Sequence, residues 1–284
     1  MKVLITGATG FTGNRVLREI LKHSDIEVSL FVRKTSSLEG IPKDKVQLCY
    51  GDLDSRDELD KALNGMDGLI NVASIGFGHC QDIVTACENQ NVKRVIFVGT
   101  TAVFTTLPAQ TKKVRLEAEK AIFESNLDWT LVRPTMIYGF EDDRNMIRLV
   151  RWIKKYPIVF IPGDGKSYQQ PIFVEDLAKA IVSAFLSEKT IKKSYNLSGK
   201  QKQTFNEVVD TVAKVQGRST LKLHIPLNLI YFIYGILSLL PFRTPISKEQ
   251  IQRLNEDKSF DHDEAKKDFH FNPISFEEGI RHSR

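Results

Sequence analysis

The sequence predicts an α/β protein, a doubly wound parallel sheet covered by helices on both faces and followed by a smaller C-terminal lobe. Three observations carry this. Short apolar runs alternate with longer amphipathic ones through residues 1–135. Gly7, Gly10 and Gly13 lie directly between the first apolar run and the first amphipathic one. Beyond Met136 the alternation loosens, and helical runs mix with loops.

Taken in order, Val3, Leu4 and Ile5 form the first strand, and Val16, Leu17, Ile20 and Leu21 recur at helical spacing after the glycines. Residues 28–32 and 46–50 are the second and third strands, and 57–63 a helix. Residues 69–73 form the fourth strand, 80–89 a helix, 95–99 the fifth strand and 114–125 a strong helix. The sixth strand, 130–133, is stopped by Pro134. Strands alternating with helices require a parallel sheet buried on both faces, and six or seven of them make it doubly wound. Helical runs at 145–155, 174–186 and 205–216, with loops such as 161–167, are expected to build a substrate lobe from residues 136–284 at the sheet edge. No low-complexity linker separates it from residues 1–135, so the two should pack as one unit.

The chain has 284 residues, 42% of them hydrophobic and 26% charged, enough for a large core. The net charge of +5 comes without a dense Lys/Arg tract. That balance suits an anionic small ligand and argues against nucleic acid. Cys49, Cys80 and Cys87 are odd in number and lack metal spacing, so neither a disulfide framework nor a zinc site is expected, and reduced cysteines fit the cytoplasm. Met1-Lys2 runs straight into a strand, unlike a signal peptide. Residues 227–240, between Pro226 and Pro241, are almost wholly apolar but too few to span a bilayer. A buried helix is the favoured reading, and contact with a membrane surface or a lipid-linked substrate the lesser one. A homo-oligomer is left open.

Glycines between a strand and a helix let the backbone turn tightly and let a pyrophosphate approach the free N–H groups of the helix N-terminus. With both flanking elements in place, Thr6-Gly7-Ala8-Thr9-Gly10-Phe11-Thr12-Gly13 reads as the phosphate-binding turn of a Rossmann fold. The second strand ends in Arg33, where an NAD-preferring site usually has a carboxylate. A guanidinium there matches a 2′-phosphate and favours NADP over NAD.

The Gly-x-x-Gly-x-x-Gly spacing resembles the short-chain dehydrogenase/reductase superfamily, particularly its extended and atypical branches. Gly51-Asp52-Leu53 resembles that family's adenine-contacting loop, and Ala73-Ser74 its pyrophosphate-and-ribose edge. Residues 98–104 look like the segment after strand five, which puts Thr100 at the position of the catalytic Ser/Thr. Residues 133–139, with Pro134 and Tyr138, look like the segment beside the nicotinamide; 170–178 and 272–280 look like later family blocks.

One departure stands out. The family's chemistry rests on a Tyr-x-x-x-Lys pair, and Leu116-Glu117-Ala118-Glu119 aligned with its helix leaves Thr111 and Arg115 in those places. Threonine is too weak an acid to replace tyrosine. Arg115 can hold ribose or phosphate but does not readily release a proton. Tyr138 is the leading substitute donor, with Lys112 and Lys113 behind it; the charged run Glu141-Asp142-Asp143-Arg144 is a further, lesser candidate for facing substrate. Gln169-Gln170-Pro171 resembles the complex-I-subunit-like group more than the sugar epimerases. The resemblance implies a reductase or epimerase of a nucleotide- or lipid-linked sugar. The alternative is an NADP(H)-responsive regulator, like some NmrA-like and complex-I-subunit-like members.

Overall fold

The computed structural model describes residues 1–107, 110–237 and 252–283. The chain runs β1 (Lys2–Thr6), α1 (Phe11–Ile20), β2 (Glu27–Val32), β3 (Val46–Tyr50), α2 (Arg56–Leu63), β4 (Gly68–Asn71), α3 (Cys80–Asn89), β5 (Arg94–Val98), α4 (Gln110–Glu124) and β6 (Asp128–Pro134). It continues through β7 (Ile137–Tyr138), α5 (Met146–Lys155), β8 (Ile158–Pro162), β9 (Tyr168–Gln169), β10 (Ile172–Phe173), α6 (Val174–Leu186) and β11 (Lys193–Leu197). Then follow β12 (Gln203–Thr204), α7 (Phe205–Val215), β13 (Leu221–Ile225), α8 (Leu227–Leu237) and the short helices Asp263–Phe269 and Phe276–His282.

Seven strands form one sheet in the order β11-β6-β5-β4-β1-β2-β3, every neighbouring pair parallel. The order reverses between β1 and β4, the switch point where loops diverge and leave a crevice. Side chains alternate across this sheet. Val3 and Ile5 of β1 pack with Val16, Leu17, Leu177 and Ile181 of α1 and α6, while Leu4 faces Leu59, Leu63, Ile83 and Val84 of α2 and α3. Each such side chain contributes about 1.5–3 kcal/mol when fully buried, which is why both faces are covered. Cys80 and Cys87 lie on the buried side of α3, and burial pushes the Cys80 thiol up to about 12. All three cysteines are free.

The expected elements of the first half are present with ends shifted by a few residues. Residue 135 is not a limit of the sheet, because α6 covers it and β11 adds its seventh strand beyond β6. That return was not legible, since Lys193–Leu197 is polar at alternate positions and lies at the sheet edge. A third cluster joins Ile153, Val159, Ile161, Val208, Val212 and Ile280 in the C-terminal lobe. Capping boxes start α7 (Thr204 with Glu207) and the last helix (Ser275 with Glu278). Of the apolar stretch 227–240, residues 238–240 lie outside the described residues. The remainder is α8, where Leu229 and Phe232 are exposed, so the expectation of a buried helix does not hold for the described part.

Candidate cofactor and active site

The glycine turn is built as the spacing requires. Gly7 has φ +71°, the left-handed region that L side chains rarely adopt, and an added Cβ would sit 2.7 Å from the Ala73 amide. At Gly13 a Cβ would come within 2.0 Å of the Gly7 carbonyl oxygen, so only glycine lets α1 pack this close to the turn. Gly10 is different. It caps α1 in an extended conformation, and its added Cβ would meet only the Gly7 oxygen, at 3.3 Å. The helix N-terminus is therefore open there, the shape a diphosphate needs. The residues fit a dinucleotide.

Thr6 is corrected from a ligand contact to a brace. Its hydroxyl is buried, donates to Asn71 Oδ1 at 2.6 Å and accepts from the Ala73 amide at 3.5 Å, tying β1 to β4 across the switch point. Thr9, Phe11 and Thr12, by contrast, line the cleft with the glycines.

That cleft has a volume of about 1470 Å³. One end lies beside Arg18, Ser37 and Glu39, past the end of β2. Arg33 is exposed one residue past that strand and is not among the residues of the cleft wall. Asp52 and Leu53 follow β3: Asp52 closes its own turn by accepting from the Asp54 amide, and Leu53 is half-buried against the core beneath α2 and α3. Ser74 Oγ accepts from the Gly76 amide, and the Arg115 stem lies over Gly76, where a Cβ would be 3.3 Å from Arg115 Nε. Val72 is the wall residue of that edge.

At the other end, Thr100 lines the cleft after β5, and its Oγ1 accepts from the Ala102 amide at 3.2 Å. Its own O–H remains to donate toward the cleft. Thr101 Oγ1 donates to the Pro134 carbonyl at 3.2 Å, joining the ends of β5 and β6. Pro134 is buried, and Thr135 and Met136 reach the wall beyond it.

Tyr138 is the main correction. It is 1% exposed, its rings meet Phe173 and Phe276 at 5.6 and 5.0 Å, and its hydroxyl donates to the Phe276 carbonyl at 3.4 Å. Burial pushes its phenol far above the usual value, so it neither faces the cleft nor gives up a proton. It packs the lobe against Gly279, where no Cβ would fit. Lys112 donates to the Thr105 carbonyl, and Lys113 is exposed beside Glu117. Thr111 is exposed on α4.

Sequence reasoning missed two parts of the wall. Arg15, nearly buried one turn into α1, donates to both oxygens of Asp142 and stacks on Phe11 and Phe140, 4.8 and 5.1 Å from the ring centroids. This pins the charged run at 141–144 against the glycine turn. Asp143 serves locally there, accepting from the amides of Asn145 (2.7 Å) and Ile147 (3.1 Å) at the start of α5. Residues 15 and 142 are 127 positions apart, and their pairing has no local sequence signal.

The second part is the segment 253–260. Glu256 accepts from the hydroxyls of Thr105 (2.7 and 2.8 Å) and Thr106 (3.1 Å) and from the Thr106 amide (3.0 Å), bonds that hold its carboxyl below the usual value against the opposing effect of burial. Gln169 Nε2 donates to the Glu256 carbonyl at 3.3 Å, and Gln170 Oε1 accepts from the Phe260 amide at 3.0 Å. The Gln-Gln-Pro motif thus fastens this segment over the cleft. Lys258 lies on that wall between the two anchors, its Nζ donating to the Arg253 carbonyl. Burial pulls its ammonium down to about 8, although Glu256 works the other way.

A parallel doubly wound sheet, a glycine cradle at its switch point and a long cleft leading away from it define a dinucleotide-binding Rossmann protein. The chain belongs to the NAD(P)H-binding family, whose model matches residues 7–188. Among curated proteins it is 25% identical over 267 residues to the divinyl chlorophyllide a 8-vinyl-reductase of Cucumis sativus, covering 84% of this chain and 62% of that protein. It is 23% identical to subunit 9 of the NADH dehydrogenase [ubiquinone] 1 alpha subcomplex of Mus musculus, covering 88% of this chain and 71% of that one. It is 22% identical to the N-acetyl-alpha-D-glucosaminyl-diphospho-ditrans,octacis-undecaprenol 4-epimerase of Escherichia coli O157:H7, covering 79% and 75%. The chain thus spans a little over three fifths of the reductase's length. Among solved structures, a nucleoside-diphosphate-sugar epimerase from Pseudomonas aeruginosa matches with TM-score 0.81 at 15% identity, over 100% of this chain and 96% of that one. The UDP-glucuronic acid 4-epimerase from Bacillus cereus matches with TM-score 0.77 at 18%, over 100% and 98%. At these identities the likeness is one of fold.

Proposed function

We propose that this chain is an NADP(H)-dependent reductase or epimerase acting on a sugar carried on a nucleotide or a lipid, in a reducing compartment such as the cytoplasm. The observation that carries the reading is the reach of the cleft. It runs from the glycine cradle past Thr100 to Glu256 and Lys258, and its 1470 Å³ exceeds the roughly 300–1,000 Å³ usual for a single small ligand. A bound nicotinamide supplies or accepts hydride. The chain's own residues then divide the rest. Gly7, Gly10 and Gly13 seat the diphosphate, Arg33 meets the 2′-phosphate, Arg115 reaches the ribose edge, and Thr100 donates to the reacting oxygen. Lys258 takes the place of the absent tyrosine as the proton donor. An ammonium has three protons, so one can stay on the Arg253 carbonyl while another points at substrate, and an acid of pKa near the working pH is an efficient donor.

Turnover is tested by NADPH oxidation with a panel of keto-sugar nucleotides and polyprenyl-diphosphate sugars. A general acid works while protonated, so kcat should fall as pH rises through about 8. Lys258→Met should lower kcat by about 10²–10⁴ and remove that alkaline limb with NADPH affinity unchanged. Tyr138→Phe should leave turnover as it is. A wild-type profile flat through this range would remove Lys258 from the role. Arg33→Ala should weaken NADP(H) binding about tenfold or more and leave NAD(H) binding nearly unchanged, because only the 2′-phosphate loses a charge-assisted bond. Tighter binding of NAD than NADP by the wild type would refute the cofactor assignment.

A second reading has its own support. Thr111 and Arg115 stand where the family's catalytic pair would be, and the complex I subunit is among the relatives. On that reading the chain binds NADP(H) as a regulator or scaffold. Tight NADP(H) binding without turnover of any sugar in the panel would favour it.

A further inference from the structure

The C-terminal lobe carries an apolar face that the cofactor cleft does not use. Strands β8 and β13 pair in parallel with Phe160 opposite Leu223 and Ile158 opposite Leu221. Alternation puts Ile158, Phe160, Pro162, Leu221, Leu223 and Ile225 on one side of this ribbon. The other side is spoken for: Val159 and Ile161 enter the core, Lys222 pairs with Asp210, and His224 meets Asn206. The apolar side is open, with Phe160 53% and Leu221 59% exposed. It continues at one edge into Trp152, whose indole donates to the Ile158 carbonyl and whose ring lies 4.6 Å from Tyr156. Past Pro226 the chain enters α8, where Phe232 is 66% exposed.

Charge points to what covers this face. Residues 146–162 contain Arg148, Arg151, Lys154 and Lys155 and no carboxylate, and residues 211–237 contain no carboxylate either. All four cations are exposed, and none forms an ion pair among the described residues. A protein–protein interface core is depleted of charge, whereas exposed Lys and Arg around Trp, Tyr, Phe and Leu is the composition of a surface that sits in the headgroup layer of a bilayer. No described helix is long and apolar enough to cross a membrane, and the eleven residues of α8 reach about 16 Å of the roughly 30 Å required. We infer that the α5–β8–β13–α8 face docks on an anionic lipid bilayer, with Phe160, Leu221 and Phe232 inserted at the interface and the α5 cations on the headgroups.

The inference stands apart from the reductase reading, because vesicle binding needs no turnover. It is tested by co-sedimenting the full chain with vesicles of equal parts phosphatidylglycerol and phosphatidylcholine, and with phosphatidylcholine alone. Binding is expected to the anionic vesicles, weakening as salt is raised. Arg151→Gln with Lys155→Gln should reduce it roughly tenfold or more. Phe160→Ser with Phe232→Ser should reduce it to a similar degree, since about two aromatic side chains' worth of apolar burial is lost. These positions are exposed, so NADP(H) affinity should be unchanged and reports an intact fold. No binding to anionic vesicles overturns the inference, as does equal binding to both compositions. Self-association that the Phe160→Ser, Phe232→Ser variant abolishes, without vesicle binding, would assign the face to a second copy of the chain instead.

Discussion

Gly10→Val is expected to lower NAD(P)H affinity by roughly a hundredfold or more while the melting temperature stays close to wild type. The backbone at Gly10 is extended, a conformation valine adopts readily, and an added Cβ meets only the Gly7 oxygen at 3.3 Å. The isopropyl group would occupy the space over the α1 amides, and losing about two charge-assisted bonds to a diphosphate accounts for the size of the effect. Gly13→Ala is the contrast. Its methyl would stand 2.0 Å from the Gly7 carbonyl, so α1 must move off the sheet, at a cost of about 1–3 kcal/mol or more. That variant should lose several degrees in melting temperature as well as binding. Fluorescence titration with NADPH alongside thermal unfolding separates the two. Wild-type affinity in Gly10→Val would mean that the pyrophosphate does not lie on this turn.

The second large effect concerns Arg133 and Glu119. Both are buried, and they form a two-pronged ion pair, Nε to Oε1 at 2.7 Å and Nη2 to Oε2 at 2.9 Å, joining β6 to α4. Phe104 and Phe123 lie 5.3 and 5.9 Å from the guanidinium, which links the pair to the Thr100–Thr106 segment of the cleft wall. Arg133→Ala leaves the Glu119 carboxylate buried without its partner and should cost about 3–5 kcal/mol. In a chain of this size that is on the order of 10 °C in melting temperature. Arg133→Met with Glu119→Leu should recover most of the loss, because removing both charges removes the need to pair them. A double variant no more stable than Arg133→Ala would show that the packing around the pair, and not the orphaned charge, sets the cost. Arg133 opens the segment that resembles the family's nicotinamide edge, but its side chain holds α4 in place.

Local chemistry wrote much of this protein into its sequence. The alternation of apolar runs and helical spacing determined the parallel sheet, because strands buried on both faces and helices with one buried stripe have different periods. The three glycines determined the turn, because positive φ at Gly7 and backbone contact at Gly13 admit no other residue. The open position at Gly10 went with them. What only the tertiary structure decided are pairings between distant segments whose members look ordinary in isolation. Arg15 meets Asp142, Glu256 meets Thr105 and Thr106, and Lys258 reaches the cleft because Gln169 and Gln170 hold its segment there. Tyr138 illustrates the converse. Its place in a family-like segment suggested a proton donor, yet the packing of Phe173, Phe276 and Gly279 turned it inward. The direction in which a side chain points after a strand ends depends on what the rest of the chain packs against it, and no local period encodes that.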